Sequence, residues 1–157
     1  MSRITDQIDR ILKKYEEQAS FVGGASAEEI REAQQSLGCV FPEDYRHFLA
    51  GYGAGNFCAC EIYGIIPQKE LCRIPNGIWA TGYLRQRYQM PATCIAVAFD
   101  GYGGYYCIDT AQTGADKLCP VVLWNMEGEN GAEPERIADS FEEFFLTCLK
   151  AEIDRLL

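Results

Sequence analysis

The sequence predicts an α+β fold: an antiparallel sheet of about four to six strands, packed by N-terminal helices and a C-terminal helix. Three observations carry that expectation. Apolar residues recur at three- and four-residue steps through the N-terminal third and again at the C-terminus, the spacing of amphipathic helices. Between them lie short β-rich runs punctuated by Gly, Pro and Asp. The order is helices, then a meander of strands, then one helix. Strands that follow one another closely pair as antiparallel neighbours, which leaves the helices to cover the sheet.

Taken in order, Ile4, Ile8, Ile11, Leu12 and Tyr15 define an amphipathic helix from about Ser2 to Gln18, broken by Gly23-Gly24. Ser26-Ala27-Glu28-Glu29 is a capping-box pattern. It opens a second helix with Ile30, Ala33 and Leu37 inward, stopped by Gly38. Phe41-Pro42-Glu43-Asp44 starts a third helix: proline suits its first position, and two carboxylates complement its dipole. Tyr45, Phe48, Leu49 and Tyr52 share one face of it, and Gly51 and Gly53 end it. Cys60 to Ile66 reads as a strand closed by Pro67, and Asn76 to Tyr88 as a short helix with Ile78, Trp79, Tyr83 and Tyr88 partly inward. Cys94 to Phe99 and Tyr105 to Asp109 form a hairpin about Asp100-Gly101-Tyr102-Gly103-Gly104. Pro120 to Trp124 is a further strand, and Asn125 to Glu135 a polar surface loop. Ser140-Phe141-Glu142-Glu143 repeats the capping-box pattern before a last helix striped by Phe141, Phe144, Phe145, Cys148, Leu149, Ile153 and Leu156.

With 157 residues, 48% hydrophobic and 24% charged, the chain has the material for one core without metal or disulfide staples, so residues 1–157 are expected to form a single domain. No apolar run approaches the roughly eighteen residues a membrane helix needs, and the charged N-terminus lacks a secretory h-region. The expected location is therefore the cytoplasm. In that setting the 8 cysteines read as reduced, mostly buried thiols. The net charge of -9 argues against nucleic acid and anionic membranes, where Lys and Arg supply affinity. It suits a basic protein partner, because opposite fields speed encounter.

A search for catalysis returns nothing. The chain has one His and no C-x-x-C pair, so a metal centre is not expected. If their segment is extended, the thiols of Cys58 and Cys60 point to opposite faces. His47 falls off the apolar stripe of its helix and reads as a surface imidazole. Neither glycine loop leads into a helix N-terminus, as a phosphate cradle must. Glu28-Glu29 and Glu142-Glu143 are adjacent first-turn carboxylates, favoured by the helix dipole. No cofactor and no catalytic residue is expected.

Leu37-Gly38, then Phe41-Pro42-Glu43-Asp44-Tyr45-Arg46-His47-Phe48-Leu49 and a glycine turn, resembles the N-terminal signature of the SUKH superfamily, the Smi/Knr-type cell-wall regulators and bacterial immunity proteins. Glu61-Ile62-Tyr63-Gly64, Pro120 to Trp124 and Ala138 to Phe145 resemble its first strand and its C-terminal half. Within the family the chain is similar to the YobK-like bacterial antitoxins. The matching positions are cap, turn and core residues, so the resemblance implies fold before site. It also implies a non-catalytic immunity protein that binds and neutralises a bacterial polymorphic toxin, the acidic surface pointing to a basic one such as a nuclease. The alternative is a regulatory adaptor of the cell-wall-synthesis type. Loop residues with aromatic or acidic groups are the expected contacts: Tyr52, Asp100, Tyr102, Glu127, Glu129 and Glu133, with Tyr102 the best placed as an exposed anchor and Tyr52 next.

Overall fold

The computed structural model describes residues 2–128 and 133–157. Among these residues, five helices and two antiparallel sheets follow the expected order. Helix α1 (Arg3–Lys14) starts at Ser2, whose Oγ accepts from the Thr5 amide. It ends four residues sooner than its periodicity predicts. Glu16–Gln18 tighten into a 3₁₀ turn, and Ala19–Phe21 leave as a strand, β1. That strand is three residues long and exists only by pairing with β2 (Gly55–Phe57), so no local pattern announces it.

Helix α2 (Ala27–Leu37) carries the full capping box: Glu29 N donates to Ser26 Oγ, and Ser26 N donates to Glu29 Oε1. Gly38 stops it at φ 66°, a left-handed conformation that glycine adopts without steric cost. Helix α3 (Glu43–Gly51) begins one residue later than expected, since Pro42 is the extended N-cap rather than the first helical residue.

Strand β3 (Cys60–Ile62) pairs with β2 and completes the first sheet. It is shorter than the Cys60–Ile66 run expected, because the next amides find partners elsewhere. Tyr63 N donates to Val97 O at 2.7 Å, and Gly64 N to Pro75 O at 3.0 Å. A Cβ on Gly64 would sit 1.9 Å from Gly53 O, so only glycine lets these segments meet. Helix α4 (Gly77–Tyr88) follows the Asn76 cap, whose side chain accepts from Trp79 N at 3.2 Å.

The second sheet has the order β4 (Cys94–Phe99), β5 (Gly104–Asp109), β6 (Val121–Asn125), β7 (Glu135–Ala138). β7 begins at Glu135, the last residue of the expected loop, and continues through a stretch for which the sequence predicts no strand. Glu-Arg-Ile-Ala is an exposed edge, with no buried face to give it an alternating pattern. Helix α5 (Phe141–Leu156) starts at Ser140 Oγ, which accepts from Glu143 N at 3.2 Å. The return arm of the expected box is displaced: Glu143 Oε2 accepts from Asp139 N instead.

Two cores result. The larger gathers Phe41, Tyr45, Phe48, Leu49, Phe57, Ile62, Ile95, Val97, Phe141 and Phe145 between the helices and both sheets. The smaller lies between α4 and the other face of the second sheet, with Ala80, Leu84, Cys94, Ala96, Cys107 and Val122. Along β4 the side chains alternate between them, Cys94 and Ala96 to one and Ile95 and Val97 to the other. A bulge between Ala96 and Ala98 then resets the alternation. Ala98 turns to the larger core, and Phe99 emerges on the α4 side, opposite Tyr105.

Candidate protein-binding face

That reset has a surface consequence. Phe99 pairs with Tyr105 across β4–β5, and Tyr105 with Trp124 across β5–β6, so three aromatics form one cross-strand row. The Phe99 and Tyr105 ring centroids are 5.0 Å apart. On α4, Trp79 and Tyr83 stand one turn apart on the same face, stacked at 5.4 Å, and Tyr83 meets Tyr88 edge-on at 6.2 Å. A recess of about 300 Å³ lined by Ile74, Trp79, Tyr83 and Tyr105 joins the helix to the sheet. Trp79 also borders a second groove of about 430 Å³ between α2 and α4, whose rim carries Glu29 and Glu32, both paired to Lys69. Ile74, Tyr83 and Phe99 are between 44% and 46% exposed. Single exposed apolar residues are ordinary, but these three join half-buried Trp79, Tyr105 and Trp124 in one contiguous aromatic surface, which makes it the candidate face.

The hairpin tip stands at the edge of this face. Asp100 Oδ1 accepts from Tyr102 N at 2.7 Å and from Gly104 N at 2.8 Å, holding a turn in which Gly101 and Gly103 both have φ near 88°. One oxygen of Asp100 therefore builds the turn rather than awaiting a partner. The turn raises Tyr102 clear of the fold, at 92% exposure. Met126 N donates to Gly103 O at 3.2 Å, which brings Glu127 beside the tip. Glu127 is exposed, as is Glu133 where the same loop returns. Glu129 lies outside the described residues.

Tyr52 stands apart from this group. It is half-buried, its ring lies against Phe21 and Phe48, and its hydroxyl donates to Asp9 Oδ1 at 2.7 Å. The aromatics of α4 and the Phe99–Trp124 row were not singled out from sequence as contacts. A signal for them exists: Ile78, Trp79, Tyr83, Leu84 and Tyr88 run around α4 instead of forming one stripe, as on a helix with apolar residues on its solvent side.

A family model described as SMI1-KNR4 cell-wall (SUKH_5) matches residues 4–150. The chain belongs to the SUKH family. A Bacillus subtilis (strain 168) relative, "Uncharacterized protein YnaB", is 39% identical over 67 residues, 40% of this chain and 46% of that protein. The chain therefore matches less than half the length of this curated relative. Among the described residues of this SUKH protein, no helix is long and apolar enough to cross a membrane, and no three His, Cys, Asp or Glu side chains are grouped to hold a metal ion.

The ionisable groups that the SUKH fold gathers are structural. His47 is less free than its helical position implies, since its Nε2 lies 3.3 Å from Asp9 Oδ2, the carboxylate that also accepts from Tyr52. Asp44 and Glu142, both expected to be simple first-turn carboxylates, are buried. Asp44 Oδ2 accepts from Glu142 N at 3.0 Å, so one helix caps another. Glu142 Oε2 accepts from Ser2 Oγ at 2.5 Å and Thr5 Oγ1 at 2.6 Å, tying α5 to the start of α1.

Desolvation holds the Asp44 carboxyl up at about 6, against its ordinary value of 3.8, and the nearby Glu142 charge pushes the same way. The folded state therefore binds this proton more tightly than the unfolded chain. Stability from this group is fully present below about pH 4, falls as pH rises towards 6, and is level above that. The total change is about 3 kcal/mol, from about two pK steps. Asp44→Asn keeps an acceptor for the Glu142 amide and removes the titration. Urea unfolding of both proteins should show the variant gaining on the parent from pH 4 to pH 7. A constant difference across that range would show that Asp44 does not titrate this way.

Proposed function

We propose that this SUKH protein is an immunity protein that binds a basic bacterial toxin with the face running from Trp79 and Tyr83 through Tyr105 to Phe99, Trp124 and Tyr102. The observation that carries the reading is the contiguous aromatic surface, exposed at Tyr83, Phe99 and Tyr102 and half-buried at Trp79, Tyr105 and Trp124, with carboxylates at its hairpin edge. Aromatic side chains supply binding energy at low entropic cost, and the acidic edge selects a partner of opposite field. The net charge of -9 extends that selection over the whole surface. Arg73 and Arg87 lie at the α4 end, so the acidic bias is strongest around Asp100, Glu127 and Glu133. A toxin that cleaves nucleic acid must bind phosphate. Its active cleft is therefore basic, and a carboxylate-rimmed protein can fill it in place of the substrate.

A second reading, a regulatory adaptor, is favoured by the cell-wall description of the matching family model. One experiment separates the two. Tagged protein is used to capture partners from its native cells at low salt and again at high salt, with the bound proteins identified by mass spectrometry. One basic protein held near one-to-one and weakened by salt supports toxin neutralisation. Capture of cell-envelope enzymes supports the adaptor instead. Reversing charge at Glu127 and Glu133 together, Glu127→Lys with Glu133→Lys, should slow association about ten-fold at low salt and less at high salt, read by surface plasmon resonance. An on-rate that matches the parent at both salts would remove this loop from the interface.

A further inference from the structure

The groove between α2 and α4 is a different kind of surface from the aromatic face it adjoins. On its α2 side Glu29, Glu32, Ala33 and Ser36 recur at steps of three and four, so they share one side of the helix. Ile65, Ile66, Ile78 and Trp79 supply most of the remaining lining, which is apolar. Among the described residues that line it, the charged groups are two carboxylates and one ammonium. That ammonium, Lys69 Nζ, lies 3.5 Å from Glu29 Oε2 and 3.4 Å from Glu32 Oε2. Lys69 sits in a turn ahead of α4, and its backbone is fixed there. Buried Asn76 donates from Nδ2 to Lys69 O at 3.1 Å and accepts from Trp79 N on Oδ1 at 3.2 Å, so one amide positions both groove residues. The Lys69 side chain is itself 54% exposed. Exposed ion pairs are weak, so a competing cation displaces it at little cost.

We propose that this groove binds an arginine side chain presented by a basic protein partner, with Lys69 holding the place of the guanidinium in the free protein. The inference rests on the reading of the partner as basic and names one contact it makes. Charge complementarity selects the occupant. Two carboxylates and one ammonium leave the groove net negative, within a chain of net charge -9. Its form selects arginine over lysine. A planar guanidinium has donors enough to meet Glu29 and Glu32 together and a face that stacks on the Trp79 indole, where an ammonium is a compact point charge. The methylene stem of the side chain suits the apolar lining at Ile65 and Ile66. Glu29 Oε1 is taken by the Ser26 amide, so Oε2, the oxygen now facing Lys69, is the arm offered to the guest. Trp79 also borders the recess at Tyr83 and Tyr105, so one segment of the partner can fill the groove and continue onto the aromatic face.

The test titrates the peptide acetyl-Leu-Arg-Leu-amide into the isotope-labelled full chain and follows it by NMR. The same peptide with citrulline in place of arginine is the uncharged isostere. The expected result is a saturable shift of the Trp79 indole N–H and of the Ile65 and Ile66 amides, with the citrulline peptide binding about ten-fold more weakly. Lys69→Ala should tighten the arginine peptide roughly two- to five-fold, and Glu32→Gln should weaken it by a similar factor, the range of an exposed ion pair. A Lys69 that serves only the fold would give no such gain. No saturable shift in the parent, shifts confined to Tyr83 and Tyr105, equal binding of the two peptides, or weaker binding by Lys69→Ala would each overturn the proposal. The peptide titration needs no captured partner, so the two readings fail separately. A peptide that does not bind, beside a captured basic protein that needs Tyr83 and Phe99, would overturn the arginine site and leave the immunity reading. A peptide held in the groove, beside capture of cell-envelope enzymes alone, would overturn the immunity reading and leave the arginine site.

Discussion

Phe48→Ala is expected to cost about 3–5 kcal/mol of folding free energy, the range for emptying a buried phenylalanine site. Phe48 is 2% exposed and lies at the meeting point of five other rings. Phe145 and Phe141 approach at 5.3 and 5.5 Å, Phe21 and Tyr52 at 6.0 Å, and Tyr45 at 6.2 Å. These partners come from β1, α3 and its C-cap Tyr52, and α5. The hole left by alanine is walled by side chains pinned on separate elements, so it collapses poorly, which puts the loss at the upper end of the range. Chemical denaturation with a two-state fit measures it. A loss below about 1 kcal/mol would mean that the cluster repacks, and that Phe48 is not the joint between the helices and the first sheet.

The second large effect is on binding. Tyr83→Ala combined with Phe99→Ala should weaken the partner recovered by salt-dependent capture by about 2–4 kcal/mol, roughly thirty- to a thousand-fold in Kd. Tyr83 and Phe99 are 44% and 46% exposed and come from different elements, α4 and β4, so together they sample the face across its width. Their exposure also limits the damage to the fold, which the thermal midpoint of the unbound variant monitors. Isothermal titration calorimetry gives the affinity. Full affinity in a variant that melts with the parent would place the partner on another surface, and the α2–α4 groove at Glu29 and Glu32 would be the next to test.

Much of this could be read without coordinates wherever the cause was local. The Ser26–Glu29 box, the Gly38 stop, the Asn76 start of α4, the β4–β5 hairpin and the Ser140 start of α5 each depend on residues within a few positions of each other. The family was legible for the same reason, since its matching residues are caps, turns and core positions. The exposed Tyr102 was legible because Asp100 and two glycines dictate the turn that lifts it.

Other features were set by partners distant in sequence. β1 and β7 are short or charged and become strands only beside β2 and β6. The bulge in β4 is invisible in Cys-Ile-Ala-Val-Ala-Phe, yet it turns Phe99 outward to Tyr105 and builds the aromatic face. Asp44 reads as a dipole partner of its own helix. Burial and the amide of Glu142, on the last helix, make it a titrating cap instead. The sequence by itself determined the class of fold, the family, the helix ends and the acidic surface, because neighbouring residues and composition suffice for each. The aromatic face and the buried carboxylates were decided by tertiary structure, because each needs side chains from separate elements to arrive on the same side of a sheet or helix.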